Sequence, residues 1–165
     1  MLRFAIRFLV CFGVLAVAFE ASRGTAFERA VVERGIVAPT AGVLRVISPG
    51  VRADVPRRRI ISGAARLHVT RGCEGVETLL LLVAAVLAFP ASAKRRMLGL
   101  LLGSLLVYAL TVARLGALVI TLRYWPDGWE AMHGLLMPLA PVVVIAIYFF
   151  QWSRLASATP SAAAP

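Results

Sequence analysis

The sequence is poor in acidic residues, lysine, cysteine and histidine. The scarcity of cysteine and histidine excludes two kinds of structural element, a disulfide framework and a metal site. Only 8 of the 165 residues are Asp or Glu, against 18 Lys and Arg, and Lys94 is the only lysine. Two cysteines cannot form the disulfide framework of a small secreted domain. Because two histidines and two widely spaced cysteines do not make a ligand set, we expect no metal site and no other cofactor.

Hydrophobic residues are in excess. They make up 60% of the chain, and the mean hydropathy is +0.84, whereas a soluble domain is about 45–50% apolar. Lipid has to cover this surplus, so the sequence indicates an integral membrane protein whose partner is the lipid bilayer. The net charge of +10 is typical of arginines that flank helices and contact anionic lipid, and we expect no nucleic-acid partner.

The fold class predicted is an all-α polytopic membrane protein with about four transmembrane helices. A bilayer needs about 20 apolar residues per helix, and four segments approach this length: 4–19, 76–93, 97–122 and 134–152. The short basic turn at residues 94–96 is typical of a cytoplasmic loop. Arginines near the first and last segments then place both termini on the same side, so residues 21–72 are predicted to be exported.

We divide the chain into 1–20 as the first transmembrane helix, 21–72 as an exported region, 73–155 as a three-helix catalytic core and 156–165 as a flexible tail. The exported region contains helical spacing over 25–47, interrupted near Pro39, and a β-hairpin over 58–70. Ten arginines in this region oppose export, but the charge rule weakens in long loops. The first segment has an alternative interpretation as a cleaved signal peptide.

Three candidate catalytic residues are predicted to meet at the outer leaflet. Cys73 directly precedes the second span, and Arg114 lies in the third, about 12 Å below its end. His133 lies about a turn and a half inside the fourth helix, which a capping box of Asp127 and Glu130 is predicted to start. Glu130, three residues before His133, is a candidate to hold its imidazole.

This set suits nucleophilic catalysis. A thiol that attacks a carbonyl needs a base, which a histidine supplies, and the oxyanion that forms needs positive charge, which an arginine supplies. Glu74 opposes this chemistry, because a neighbouring anion raises the pKa of a thiol. His68 is an alternative base, although its position in the strand "RLHVT" favours an exposed hairpin residue.

The segments "CEGVETLLLLVAAVLAFP", "TVARLGAL" and "WEAMHG" resemble the C-x-G, N-x-x-R and His segments of the exosortase/archaeosortase family, in particular the compact H-type exosortases. These are multi-spanning membrane transpeptidases of bacteria and archaea. The resemblance implies that Cys73 is the nucleophile and that Arg114 and His133 complete the site. Two positions depart from the pattern: Glu74 stands where a small residue or an amide is usual, and Thr111 stands where the family has asparagine.

The resemblance also implies a substrate and a location. The substrates would be exported proteins whose C-terminal tail has a short motif, an apolar helix and a basic end, cleaved through a thioester. The enzyme would be a multi-pass protein of the bacterial inner membrane with its site facing the periplasm. Two other classes stay open: a non-catalytic membrane assembly factor of an export or exopolysaccharide-linked system, and a thiol redox protein, which the lack of a second exported cysteine disfavours.

Overall fold

A computed structural model describes residues 2–47, 50–70 and 74–157 of the chain. The candidate nucleophile Cys73 and the predicted tail from residue 158 onward lie outside the described residues. The described part is mostly helical. Its helices are α1 (Leu2–Ala21), α2 (Ala26–Arg29), α3 (Ala38–Ile47), α4 (Val76–Ala88), α5 (Ala93–Tyr124), α6 (Trp129–Ala131) and α7 (Met137–Ser157).

The structure confirms a helical membrane protein but differs in the lengths of the spans. Three helical stretches in the described residues are long and apolar enough to cross a bilayer: Leu2–Ala21, Ala93–Tyr124 and Pro126–Ser157. Helix α4 has 13 residues, about 20 Å of helix against a hydrocarbon core of about 30 Å. It ends before the predicted residue 93 because Phe89, which precedes Pro90, adopts an extended conformation.

The region between α1 and α4 is compact rather than extended. A π-helical segment (Ala30–Val37) joins α2 to α3. The chain therefore stays helical near Pro39, where an interruption was predicted, and only the type of helix changes, from π to α at Ala38. The predicted hairpin is confirmed by the antiparallel strands β2 (Arg59–Ser62) and β3 (Ala65–His68). A further strand that was not predicted, β1 (Val51–Asp54), pairs with β2 to complete a three-stranded sheet.

The fourth helical stretch does not begin as predicted. A 3₁₀ turn at Pro126–Gly128 precedes α6, and no side-chain hydrogen bond caps either element. The capping box of Asp127 and Glu130 is therefore wrong. Pro126 starts the turn instead, because its fixed φ suits the first helical position. A second π-helical segment, Met132–Leu136, then leads into α7.

Two hydrophobic cores follow one another along α5. The first joins α3 and the sheet to the C-terminal half of α5 through residues that include Leu44, Ile60, Leu115 and Leu118. We call this half of the molecule the sheet end. The second core joins α4, α5 and α7 through residues that include Leu82, Val107, Ile145 and Trp152. On α5, Thr111 and Arg114 lie between the residues of the two cores.

Candidate functional site

Gly75, the last residue of the "CEG" motif, lies directly against helix α5. It is the N-terminal capping position of α4 and has a φ of 73°, which glycine adopts without strain. A Cβ atom at this position would collide with Oγ1 of Thr111. Thr111 is buried, and its hydroxyl donates a hydrogen bond of 2.9 Å to the carbonyl oxygen of Val107. The start of α4 is therefore held against one turn of α5.

Arg114 lies on the same face of α5, one turn beyond Thr111. It is half-buried and borders a small cavity of about 10 Å³ that is also lined by Gly75, Thr78 and Pro141. A cavity of this size holds about one water molecule and no peptide. The structure thus brings Arg114, Thr111 and the residues just after Cys73 together at one point of the bundle.

His133 lies in the π-helical segment Met132–Leu136 and is half-buried. Its ring stacks on Trp129, with ring centroids 4.9 Å apart and planes inclined by 16°. Met132, next to it in the chain, packs against the core of the sheet end, to which Leu115 of α5 belongs. His133 is therefore carried by a segment that packs against the sheet end.

Glu130, the predicted support of the imidazole, is exposed, and the hypothesis that it orients His133 stays a prediction. His68, the alternative base, is exposed in β3, as its place in the hairpin predicted. A π-helical segment is a common feature of functional sites. No signal in the sequence except the nearby Pro138 and Pro141 pointed to one at His133.

Glu74 has surroundings that the sequence did not indicate. Its side chain is only 4% exposed, and its carboxylate lies 3.7 Å from Nη1 of Arg58 and 3.9 Å from Nη1 of Arg23. Burial raises the pKa of Glu74, while the two arginines oppose that increase. The residue that follows Cys73 in the chain is therefore a buried carboxyl paired with two arginines.

Arg58 links this carboxyl to a second one. Its guanidinium donates two hydrogen bonds to Glu28, of 2.7 and 3.0 Å. Its Nε lies 3.5 Å from Oε1 of Glu33. The bond from Arg58 lowers the pKa of Glu28 below its usual range. Arg58 itself has a φ of 51°, an uncommon value for a residue with a side chain.

This ion-pair network ties the helical region after α1, the turn before β2 and the start of α4 to one another. Sequence reasoning missed it because Glu28 and Arg58 are 30 residues apart, and no local spacing relates them. One signal was present. A buried carboxylate needs a partner of opposite charge, because burying an unpaired charge is costly. In the arginine-rich region 21–72 that partner is expected to be an arginine.

The chain matches no family model, no curated protein and no solved structure.

Proposed function

We propose that the protein is a membrane-embedded cysteine transpeptidase or protease that cleaves C-terminal sorting signals from exported proteins. The observation that carries the proposal is the close packing of Gly75 on Thr111. It holds the segment that follows Cys73 against the turn of α5 that bears Arg114. A thiol and a guanidinium on different helices need such a fixed contact if they are to act on the same carbonyl group.

In this proposal the sulfur of Cys73 attacks the scissile carbonyl carbon after His133 has accepted the thiol proton. The guanidinium of Arg114 stabilises the oxyanion that forms. When the C–N bond breaks, His133 returns the proton to the leaving amine, and the acyl group stays on Cys73 as a thioester. An amine or a water molecule then attacks the thioester carbonyl and releases the thiol.

The proposal includes a topology and a route for the substrate. Helix α4 would act as a short fourth span, with the sheet end on the periplasmic side of a bacterial inner membrane. The apolar helix of the sorting signal would dock from the side against the spans. Because the cavity beside Arg114 is no larger than a water molecule, binding of the peptide has to widen it.

The decisive experiment compares the two cysteines. Exported proteins of the source organism that end in a shared motif, an apolar helix and basic residues serve as substrates, tagged on both sides of the motif. Cys73→Ala is expected to abolish their processing without loss of membrane insertion. Cys11→Ala, which alters a half-buried residue of α1, is expected to keep full activity.

Trapping gives a second readout. In the active enzyme, hydroxylamine should release the acyl group as a hydroxamate, because it cleaves thioesters. Full processing by Cys73→Ala would contradict covalent catalysis by this residue and would favour the non-catalytic assembly factor.

A further inference from the structure

The end of the helical bundle opposite the sheet has no acidic residue. All 8 acidic residues of the sequence lie within 20–77 and 127–130. Contacts gather the N-terminus of α1, the α4–α5 turn and the C-terminal part of α7 at this opposite end: the ring of Phe4 contacts the rings of Phe89 and Phe149. We call these three segments together the basic end. Their cations are Arg3, Arg7, Lys94, Arg95, Arg96 and Arg154.

A groove runs between α5 and α7 at the basic end. Its volume is about 330 Å³, and its lining includes Arg95, Leu98, Leu102, Tyr148, Trp152 and Leu155. The three leucines are 50–72% exposed, so the wall is open to the hydrocarbon of a surrounding membrane. Such a wall accepts an acyl chain.

The polar atoms of the aromatic residues in this groove are already bonded within the protein. The hydroxyl of Tyr148 donates to the carbonyl oxygen of Gly99 at 2.7 Å, and Nε1 of Trp152 donates to that of Arg95 at 3.3 Å. Trp152 lies so close to Gly99 that a Cβ atom there would collide with its ring. The groove is thus a firmly built apolar surface with a single charged group, Arg95, in its lining.

Arg95 has donors to offer a ligand. One of its nitrogens, Nη1, donates to the carbonyl oxygen of Ala156 at 2.7 Å, while a guanidinium has five N–H groups. None of the ion pairs in the described residues involves Arg95. Because no acid lies between Glu77 and Asp127 or after Glu130, the counter-charge has to come from outside these segments.

We propose that this groove binds one anionic phospholipid, with its phosphate on Arg95 and one acyl chain along α5 and α7. Basic pockets between transmembrane helices near a membrane surface suit such head groups, and a guanidinium matches the geometry of a phosphate. A peptide with a basic end would be repelled here by six cations. The inference does not depend on the function proposed above.

The test uses the full-length protein in nanodiscs made of equal parts phosphatidylglycerol and phosphatidylcholine. Lipid that stays with the protein after detergent extraction is identified by native mass spectrometry. We expect wild-type protein to retain phosphatidylglycerol in preference to phosphatidylcholine and Arg95→Gln to reduce that preference by about tenfold or more. The matched control is Arg154→Gln, an exposed arginine of the same end that stacks on Phe150. Arg154→Gln should reduce the preference for phosphatidylglycerol by roughly fivefold at most, which is the effect of removing one surface charge.

A second variant covers the case in which Arg95→Gln fails to fold without its bond to Ala156. Leu102→Trp fills the groove, leaves Arg95 intact and is expected to abolish retention of phosphatidylglycerol. Equal losses in Arg95→Gln and Arg154→Gln would overturn the proposal, because they would mean diffuse attraction to the basic end. Full displacement of phosphatidylglycerol by inorganic phosphate would also overturn it, since the acyl chain would then contribute nothing.

Discussion

Gly75 packs against Thr111 so closely that helix α5 leaves no room for a side chain at position 75. Two constraints coincide at this glycine, the positive φ of 73° and the contact with a buried hydroxyl. In the proposed enzyme this contact determines where Cys73, two residues earlier, can lie relative to Arg114.

The first prediction concerns this contact. Gly75→Ala should lower processing strongly, because the added methyl group pushes the start of α4 away from α5 and strains the backbone. The matched control is Gly42→Ala in α3, where a Cβ atom meets no other atom within 4 Å. A helix favours alanine over glycine by about 0.5–1 kcal/mol, so this control should be slightly stabilised. Processing time courses normalised to inserted protein measure both, and equal activity of the two variants would contradict the role of Gly75.

The second prediction concerns Arg114. Arg114→Lys should insert normally but process substrate about a hundredfold to a thousandfold more slowly, because an ammonium group cannot reproduce the fork of guanidinium donors at an oxyanion. Arg114→Leu should insert at least as well as wild type, since a charge leaves the membrane, and should be inactive.

Arg123→Lys is the control for this substitution. Arg123 lies in the last turn of α5, where its guanidinium stacks on the ring of Tyr124 and donates a hydrogen bond of 2.8 Å to Ser62. A lysine can also donate to this hydroxyl and place its cation over the ring. We expect near-wild-type turnover in this variant. If Arg114→Lys were equally active, Arg114 would be an anchor near the end of the helix, and the catalytic set would reduce to Cys73 and His133.

The third prediction separates two of the three carboxyls that Arg58 contacts, those of Glu28 and Glu74. The folded-state pKa of Glu28 lies below its ordinary value of 4.5, so Glu28 contributes stability above pH 4.5 that is lost as the pH falls below it. The pKa of Glu74 is raised, so its stabilising form is the protonated one, and that contribution is lost as the pH rises. Glu28→Gln should therefore lower the Tm at pH 7, whereas Glu74→Gln, which resembles the protonated acid, should not.

Thermal unfolding in detergent at pH 7 and pH 4 measures these effects. The deficit of Glu28→Gln should shrink at pH 4, because this pH lies below the ordinary carboxyl pKa of 4.5. The unfolded wild-type chain then takes up a proton at Glu28, and the charged pair in the folded state contributes less stability. The exposed Glu77 of α4 provides a neutral control as Glu77→Gln. Equal losses of Tm in Glu28→Gln and Glu74→Gln at pH 7 would show that the two carboxyls do not differ as described.

The fourth prediction concerns the short helix α4. Single cysteines at Thr70 and Ser92, both exposed, flank this helix in a protein with Cys11 and Cys73 replaced by alanine. If α4 acts as a fourth span, a membrane-impermeant maleimide should label position 70 from the periplasm and position 92 only after the membrane is opened. Labelling of both positions from one side would leave three spans and would contradict the proposed location of the site.

Much of the architecture was predictable because it depends on local composition. Long apolar runs specify membrane helices, since every backbone polar group must be bonded within the segment. Two short β-branched runs, one on each side of Ser62 and Gly63, indicated the hairpin. Thr111 and Arg114, three residues apart on a helix, had to share a face. Helix α4 was predicted to extend to residue 93 because the sequence has no charged residue between Glu77 and Lys94, whereas the geometry imposed by Pro90 ends the helix at Ala88.

Other features depend on which surfaces meet, and only the tertiary structure decided them. The burial of Glu74 follows from the packing of the helical region after α1 and the turn at Arg58 around the start of α4. The sequence places Arg58 16 residues before Glu74 and says nothing about the distance between their side chains. The role of Gly75 was likewise invisible, because a glycine in a motif can serve a turn, a cap or a close approach. In the structure Gly75 serves two of these at once: it caps α4 with a positive φ, and it leaves free the space that the hydroxyl of Thr111 occupies.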